Sequence, residues 1–346
     1  MAQASIDTAI TKHQSIDPAW LALRDEEVIE ADLPIIDPHH HAWDMPGNRY
    51  LFDELCADFG SGHNITATVY VQCYAMYRAK GPAHLKSVGE TEFATGLAAM
   101  SASGKYGATQ ICKGIVGHAD ITMGTGVEGV LDAHLSVAGN RFKGIRPTTA
   151  WHREAQFRAV EAGADVMSDV SAREAIRCIA ARGLTLDLWN FFSQALEIAD
   201  LCRAFPDLLI VIDHCGGPIG IGPYYNPRGD AFEAWRSAVE LLADCPNAHI
   251  KLGGLGMRYA GFQLRDRALP PSSDELAAEW RSHLERCIEA FGPDRCMFES
   301  NFPIDKGSCS YRAIWNAFKK VSAQYSPDER AALFSGTASK VYRLES

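Results

Sequence analysis

Apolar positions along the chain gather into short β-branched runs, and longer stretches with helix signals separate them. The runs are Leu33–His39, Ile65–Gln72, Gln110–Val116, Arg141–Arg146, Leu184–Trp189, Leu208–His214, Ala248–Gly253 and Cys296–Asn301. Many are continuously apolar rather than alternating, which is how strands of a parallel sheet covered on both faces read. Their starts lie roughly 24 to 48 residues apart, room for a strand, a loop and a helix each. Asp17-Pro18 reads as an N-cap with proline at the first helical position, opening a short helix to about Glu27. Ser171–Glu174 reads as a capping box for a helix that stops at Gly183. Ser272–Glu275 opens another that runs to Phe291 before Gly292-Pro293, and Ser326–Glu329 repeats the pattern near the C-terminus.

These elements predict an α/β protein. It consists of a single (β/α)8 TIM barrel over residues 33–346, preceded by an N-terminal extension over residues 1–32 that carries one short helix. An open doubly wound sheet is the competing architecture, but no Gly-x-Gly-x-x-Gly or Walker loop follows any run. The connections after the sixth and seventh runs, residues 216–230 and 254–273, are unusually long. Both leave the C-terminal ends of their strands, where barrels build active sites, and both read as lids or binding loops.

Composition narrows the partners. The chain of 346 residues has 47% apolar and 22% charged residues, ordinary for a globular enzyme. A net charge of -10 argues against a nucleic acid or an anionic membrane surface as partner, which leaves a small molecule. Oligomeric state, including a homo-oligomer, stays open. None of the ten cysteines forms a Cys-x-x-Cys pair, and most lie in apolar patterns, as buried thiols of a reduced, cytoplasmic protein do. No secretory leader is visible at Met1, and no window approaches eighteen apolar residues.

The candidate chemistry starts in the first run, Ile36-Asp37-Pro38-His39-His40-His41-Ala42-Trp43-Asp44, which leads into a Pro46-Gly47 turn. On a strand His39 and His41 share one face and His40 takes the other, so two imidazoles can reach one ion, one substrate oxygen or one water. Other strand ends add Gln72, Arg146, Asp187, His214, Lys251, Glu299 and Asn301.

At these residues the sequence resembles the amidohydrolase superfamily, in the branch of TIM-barrel lactonases acting on sugar lactones, pyrone dicarboxylates and muconolactones. The resemblance spans Pro34 to the C-terminus. It rests on the histidine run, Lys143–Arg146, Asp213-His214-Cys215-Gly216-Gly217-Pro218, Lys251–Gly254, Met297–Pro303 and Ser335–Tyr342. It implies hydrolysis of a cyclic ester by an activated water, with His39, His41 and His214 around the carbonyl and Arg146 on a substrate carboxylate or carbonyl. The chain departs from the pattern in the last strand, where the family's aspartate is replaced by Asn301. A neutral amide cannot serve as a general base at neutral pH. Glu299, on the same face, is the first substitute; Asp305, Asp187 and Asp44 are the others.

His39, His41, His214 and Glu299 make a ligand set suited to one divalent metal, zinc above all, and metal-free catalysis is the alternative. Trp43, Arg49, Tyr77, Arg78, Arg146, Asp187, Lys251 and Arg258 are the expected substrate contacts, the arginines suggesting a carboxylated substrate. The leading expectation is a hydrolase of the lactonase type. A decarboxylase or hydratase on the same barrel, and a non-catalytic binding barrel motivated by Asn301, are the competing readings.

Overall fold

The structure, a computed structural model, describes residues 15–45, 48–154, 157, 162–225 and 229–345. All eight expected runs are strands of one sheet. In chain order they are β1 (Ile35–His40), β4 (Ile65–Val71), β5 (Gln110–Gly117), β6 (Phe142–Ile145), β7 (Thr185–Leu188), β8 (Ile210–Ile212), β9 (Ala248–Leu252) and β10 (Cys296–Phe298). They pair in that order, each parallel to the next. Just past β10 the ring closes: Asn301 N donates to His39 O (3.0 Å), His41 N donates to Phe302 O (2.7 Å), and His40 bridges Phe302 in parallel. Interleaved helices cover the outside, giving the TIM barrel. A short hairpin, β2 (Trp43–Met45) and β3 (Asn48–Tyr50), follows β1 and was not anticipated; the expected Pro46-Gly47 turn lies outside the described residues.

The strands' outward side chains pack on the helices. Inside the barrel, Ile36, Val69, Val71, Val116, Val211 and Met297 form a separate apolar cluster with Ala338, Val341, Tyr342 and Leu344. The closing helix Thr337–Val341 and the residues after it therefore plug the N-terminal end of the barrel, and the opposite end is left for polar groups.

Three local expectations are corrected. The first helix is only Pro18–Leu21, capped by Asp17 through Trp20 N (3.0 Å). It does not continue to Glu27 because the next backbone groups find tertiary partners. Asn316 Oδ1 accepts from Ile29 N (3.0 Å) and its amide donates to Glu27 O (2.8 Å), while Lys319 Nζ donates to the carbonyls of Ile29 (2.8 Å) and Glu30 (2.9 Å). Second, the helix Val170–Ala181 is capped by Asp169, whose carboxylate accepts from Ser171 N (2.8 Å), so Ser171 lies inside the helix and not at its cap. Third, β8 ends at Ile212, before His214, because His214, Cys215, Gly216 and Gly217 all adopt positive φ and turn the chain sharply. The box at Ser272 and Glu275 caps the helix Ser273–Phe291 as expected.

The two long loops act as one unit beyond the strand ends. Gly220 N donates to Tyr259 O (2.8 Å), and a Cβ at Gly261 would lie 2.3 Å from Gly220 O, so the backbones are in direct contact. Residues 226–228 of the first loop lie outside the described part. Among the described residues, no helix is long and apolar enough to cross a membrane.

Candidate active site

The site begins with a change of facing in β1. Its pairing with β4 shifts register between Asp37 and His40. Ile36 therefore faces the inner cluster low in the barrel, and His39 and His41 face inward at the top, although strict alternation would put them opposite Ile36. His40 points outward against Phe59 and Tyr70 and pairs with Thr68 Oγ1 (2.8 Å). Burial pushes it down to about 3, so it is a neutral structural histidine.

His39 and His214 converge on Glu299. Their ring centroids are 4.7 Å apart. His214 Nδ1 lies 2.7 Å from Glu299 Oε1, which also accepts from His214 N (3.0 Å), and His39 Nδ1 lies 2.7 Å from Glu299 Oε2. Burial alone would raise the Glu299 carboxyl, but His214 and His39 outweigh it and hold it below the usual carboxylate range. Glu299 is thus an ionised carboxylate clamp whose Oε1 is hydrogen-bonded to His214, while Oε2 lies close to His39 Nδ1 without a hydrogen-bond partner among the described residues. His39, His214 and Glu299 also form a buried group whose ligand atoms all lie within 4.8 Å of one another, a donor set that fits a single divalent ion.

His41 stands outside that group. Its Nδ1 donates to Val71 O (2.8 Å), its ring is edge-on to His39 at 4.9 Å, and Trp43 stacks on it at 5.9 Å. Burial, then His39 and Arg146 beside it, hold it well below the ordinary histidine value, so it is neutral, and its Nε2 has no hydrogen-bond partner among the described residues.

Beneath the clamp lies a buried charge network. Lys251 Nζ is 2.9 Å from Asp187 Oδ2, 3.0 Å from Asp213 Oδ1 and 3.2 Å from His39 Nδ1. Arg146 Nη1 donates to Asp213 Oδ2 (3.2 Å) and to His39 Nε2 (3.2 Å), and its Nη2 reaches the carbonyl of Gln72. Tyr342 OH, rising from the plug, donates to Asp187 Oδ2 (2.5 Å), and Thr185 supports the other oxygen (2.9 Å). Burial and then Lys251 lower His39, so His39 is a neutral imidazole with its Nε2 facing Arg146 and its Nδ1 set among Glu299, Asp213 and Lys251. Asp213 stays ionised well below the usual range because Lys251 and His39 overcome its burial.

The expected substrate contacts therefore divide. Lys251 and Asp187 are fully buried in this network, under the site rather than in it. Arg146 supports His39 and Asp213 from a nearly buried position. Arg49 and Arg78 are not brought to the centre: at the surface, Arg49 pairs with Glu54 (3.0 Å) and Arg78 pairs with Glu92. Arg258 is exposed on the short turn Arg258–Ala260. Tyr77 lies beside His118 and Tyr74, with ring centroids 6.4 and 6.3 Å away, and Trp189 stacks on Tyr259 at 6.5 Å, giving two aromatic walls. Asn301 joins the site by its backbone and donates its side-chain amide to Asp305 Oδ1 (3.0 Å).

Two participants lie in the motifs that carry the resemblance but have no role assigned by it. Asp213 was legible through the period of two, because it shares a face with the inward Val211. Tyr342 carried no such signal, since its approach from below depends on the plug.

Glycines hold the loop after β9 against these groups. A Cβ at Gly253 would come within 2.5 Å of the Glu299 side chain, one at Gly254 within 2.6 Å of the His214 ring, and one at Gly256 within 2.9 Å of Asp305. Gly254 also has φ +68°, so Gly254→Ala adds backbone strain to the collision. A loss of stability of about 1–3 kcal/mol is expected in chemical denaturation, with a displaced His214 and reduced turnover.

Comparison with known proteins places this geometry. Residues 36–344 match the amidohydrolase family. The uncharacterised protein y4mH of Sinorhizobium fredii is 35% identical over 329 residues, covering 91% of this chain and 100% of that protein. An L-fucono-1,5-lactonase of Burkholderia ambifaria is 25% identical over 327 residues, covering 90% of this chain and 96% of the relative. Among solved structures, an amidohydrolase of Burkholderia multivorans with bound zinc superposes with a TM-score of 0.68 at 24% identity, over 90% of this chain and 99% of that one.

Proposed function

We propose, from the premise that this chain belongs to the amidohydrolase family of hydrolases, that it opens the ring of a small lactone with an activated water. The observation that carries the reading is the Glu299 clamp, one ionised carboxylate accepting from His214 through Oε1 and lying 2.7 Å from His39 Nδ1 through Oε2, at the ends of β1 and β8. Similarity to the fuconolactonase of Burkholderia ambifaria supports a lactone over other carboxylic derivatives.

In this reading the substrate lies between the two aromatic walls with its carbonyl at the histidines. Water adds to the carbonyl carbon and gives up a proton to an imidazole: His214 Nε2 when that atom is free, His41 Nε2 when His214 is a metal ligand. Glu299 accepts from His214 Nδ1 and so supports the imidazolium that forms, as a carboxylate behind a catalytic histidine does. The proton then passes to the ring oxygen as its bond to the carbonyl carbon breaks, leaving a hydroxy acid. Arg146, fixed by Asp213, keeps positive charge beside the centre where the oxyanion develops. His39, His214 and Glu299 are the residues that would hold a divalent ion, and such an ion supplies Lewis acidity for the carbonyl when bound. The zinc of the Burkholderia multivorans structure makes zinc the first ion to test.

A panel of sugar lactones, muconolactone and pyrone carboxylates, followed by acid release, tests the reading. Ring opening of at least one class is expected. Carbon dioxide release from aromatic acids, with no lactone turned over by zinc-loaded protein, would count against it. Metal analysis is expected to find about one zinc per chain, and Glu299→Gln is expected to lose it.

A further inference from the structure

Asn301 occupies the position where a carboxylate is expected, and Glu299 is already engaged, its Oε1 hydrogen-bonded to His214 and its Oε2 2.7 Å from His39 Nδ1. The structure offers another carboxyl. Asp305, one turn beyond Asn301, is fully buried; its Oδ1 accepts the Asn301 amide (3.0 Å) and its Oδ2 accepts from Gly256 N (3.1 Å). The glycine loop touches Glu299, His214 and Asp305 in succession through Gly253, Gly254 and Gly256, so all three line one wall. On the other side of the amide, Asn301 Oδ1 is buried with no hydrogen-bond partner among the described residues. A buried acceptor left unmade is costly unless something fills it.

We propose that Asp305 is a positioning residue for the hydrolytic water. By accepting the Asn301 amide N–H it leaves the Asn301 carbonyl oxygen as the acceptor that orients that water beside the histidines. This rests on the hydrolytic reading above. The two-residue unit places the carboxylate charge on Asp305 and presents it through a neutral amide. Protonation of Asp305 reverses the polarity. A carboxylic acid donates to Asn301 Oδ1, the amide turns over, and an N–H faces the water in place of the oxygen.

The groups facing Asp305 are the Asn301 amide, Gly256 N–H, His214, Glu299, Tyr259 and Cys309. Burial pushes the carboxyl up, and the donors and His214 only partly offset it, leaving it at about 7. The reversal therefore falls within the working range of pH.

The first test needs no substrate. Infrared difference spectra between low and high pH should contain a protonated carboxyl band that disappears near pH 7 in the wild type and is missing in Asp305→Asn. In Asn301→Ala its midpoint should move to higher pH, because a donor to the carboxylate is gone. Buried Asp37, raised to about 6, contributes a separate band; the absence of any band that both substitutions alter overturns the pairing. The second test uses a lactone found in the panel. Wild-type kcat/KM should rise through about pH 7, and Asp305→Asn should lose that rise and at least tenfold in rate. The exchanged pair, Asn301→Asp with Asp305→Asn, keeps the hydrogen bond and should recover most of the rate. Retention of rate and pH rise by Asp305→Asn, or an exchanged pair no better than it, sinks the proposal. If no lactone is turned over, the hydrolytic reading fails while the infrared result still decides the pair.

Discussion

Glu299→Gln is expected to lower kcat by roughly 10³–10⁴-fold with little change in fold, the scale seen when a carboxylate behind a catalytic histidine becomes an amide. The carboxylate accepts from His214 Nδ1 and lies against His39 Nδ1, at 2.7 Å each. A glutamine at that place can accept on one side only, so its NH2 confronts the Nδ1 of the other ring. One histidine must then change tautomer or turn away, and the dispositions of His39 and His214 toward substrate or metal are lost together. Circular dichroism and turnover, measured side by side, check this; a variant within tenfold of wild type would remove Glu299 from the centre. The wild-type clamp also has a pH signature. Because the folded carboxyl lies below its unfolded value, the stability it contributes is fully present above about pH 4 and is lost as pH falls toward the folded value.

The second large effect is on stability. Lys251→Met should cost about 3–5 kcal/mol in urea denaturation, the range found when one partner of a buried ion pair is removed. Methionine nearly matches the volume, so the cost comes from charge. Asp187 and Asp213 are both fully buried, and both take Lys251 as a counter-ion, at 2.9 and 3.0 Å. Arg146 still neutralises part of Asp213 after the substitution, whereas among the described residues Asp187 keeps Tyr342 and Thr185 as donors. Adding Asp187→Asn to Lys251→Met should therefore recover a large share of the loss, a coupling that a double-mutant cycle measures. A single-variant cost under about 1 kcal/mol would mean that water reaches this layer.

Much of the architecture was legible in the chain because its signals are local. Eight apolar runs at strand-loop-helix spacing specify eight parallel strands, and the Ser272 cap sits where its Glu275 partner requires. The limits of that reading are also local. The helix after Asp17 reads longer in sequence than it is because nothing near it announces Asn316 and Lys319, nearly 290 residues away. Asp169 and Ser171 are both good caps in sequence, and it is the extended backbone at 169 that decides between them.

For the site, the sequence by itself determined the inventory: two inward histidines after the first strand, His214 at the turn after the sixth, and Glu299 and Asn301 in the last. Residue chemistry also ruled out Asn301 as a base. Tertiary structure alone decided the assignments. It set both Glu299 oxygens on imidazoles, sank Lys251 and Asp187 beneath the centre, left Arg49 and Arg78 on surface carboxylates, and joined Asn301 to Asp305. The physical reason is that strand period fixes which side of the sheet a residue faces. Its depth and partners depend on barrel closure, on a register shift at His40, and on a C-terminal plug that brings Tyr342 to Asp187 across 155 residues of chain.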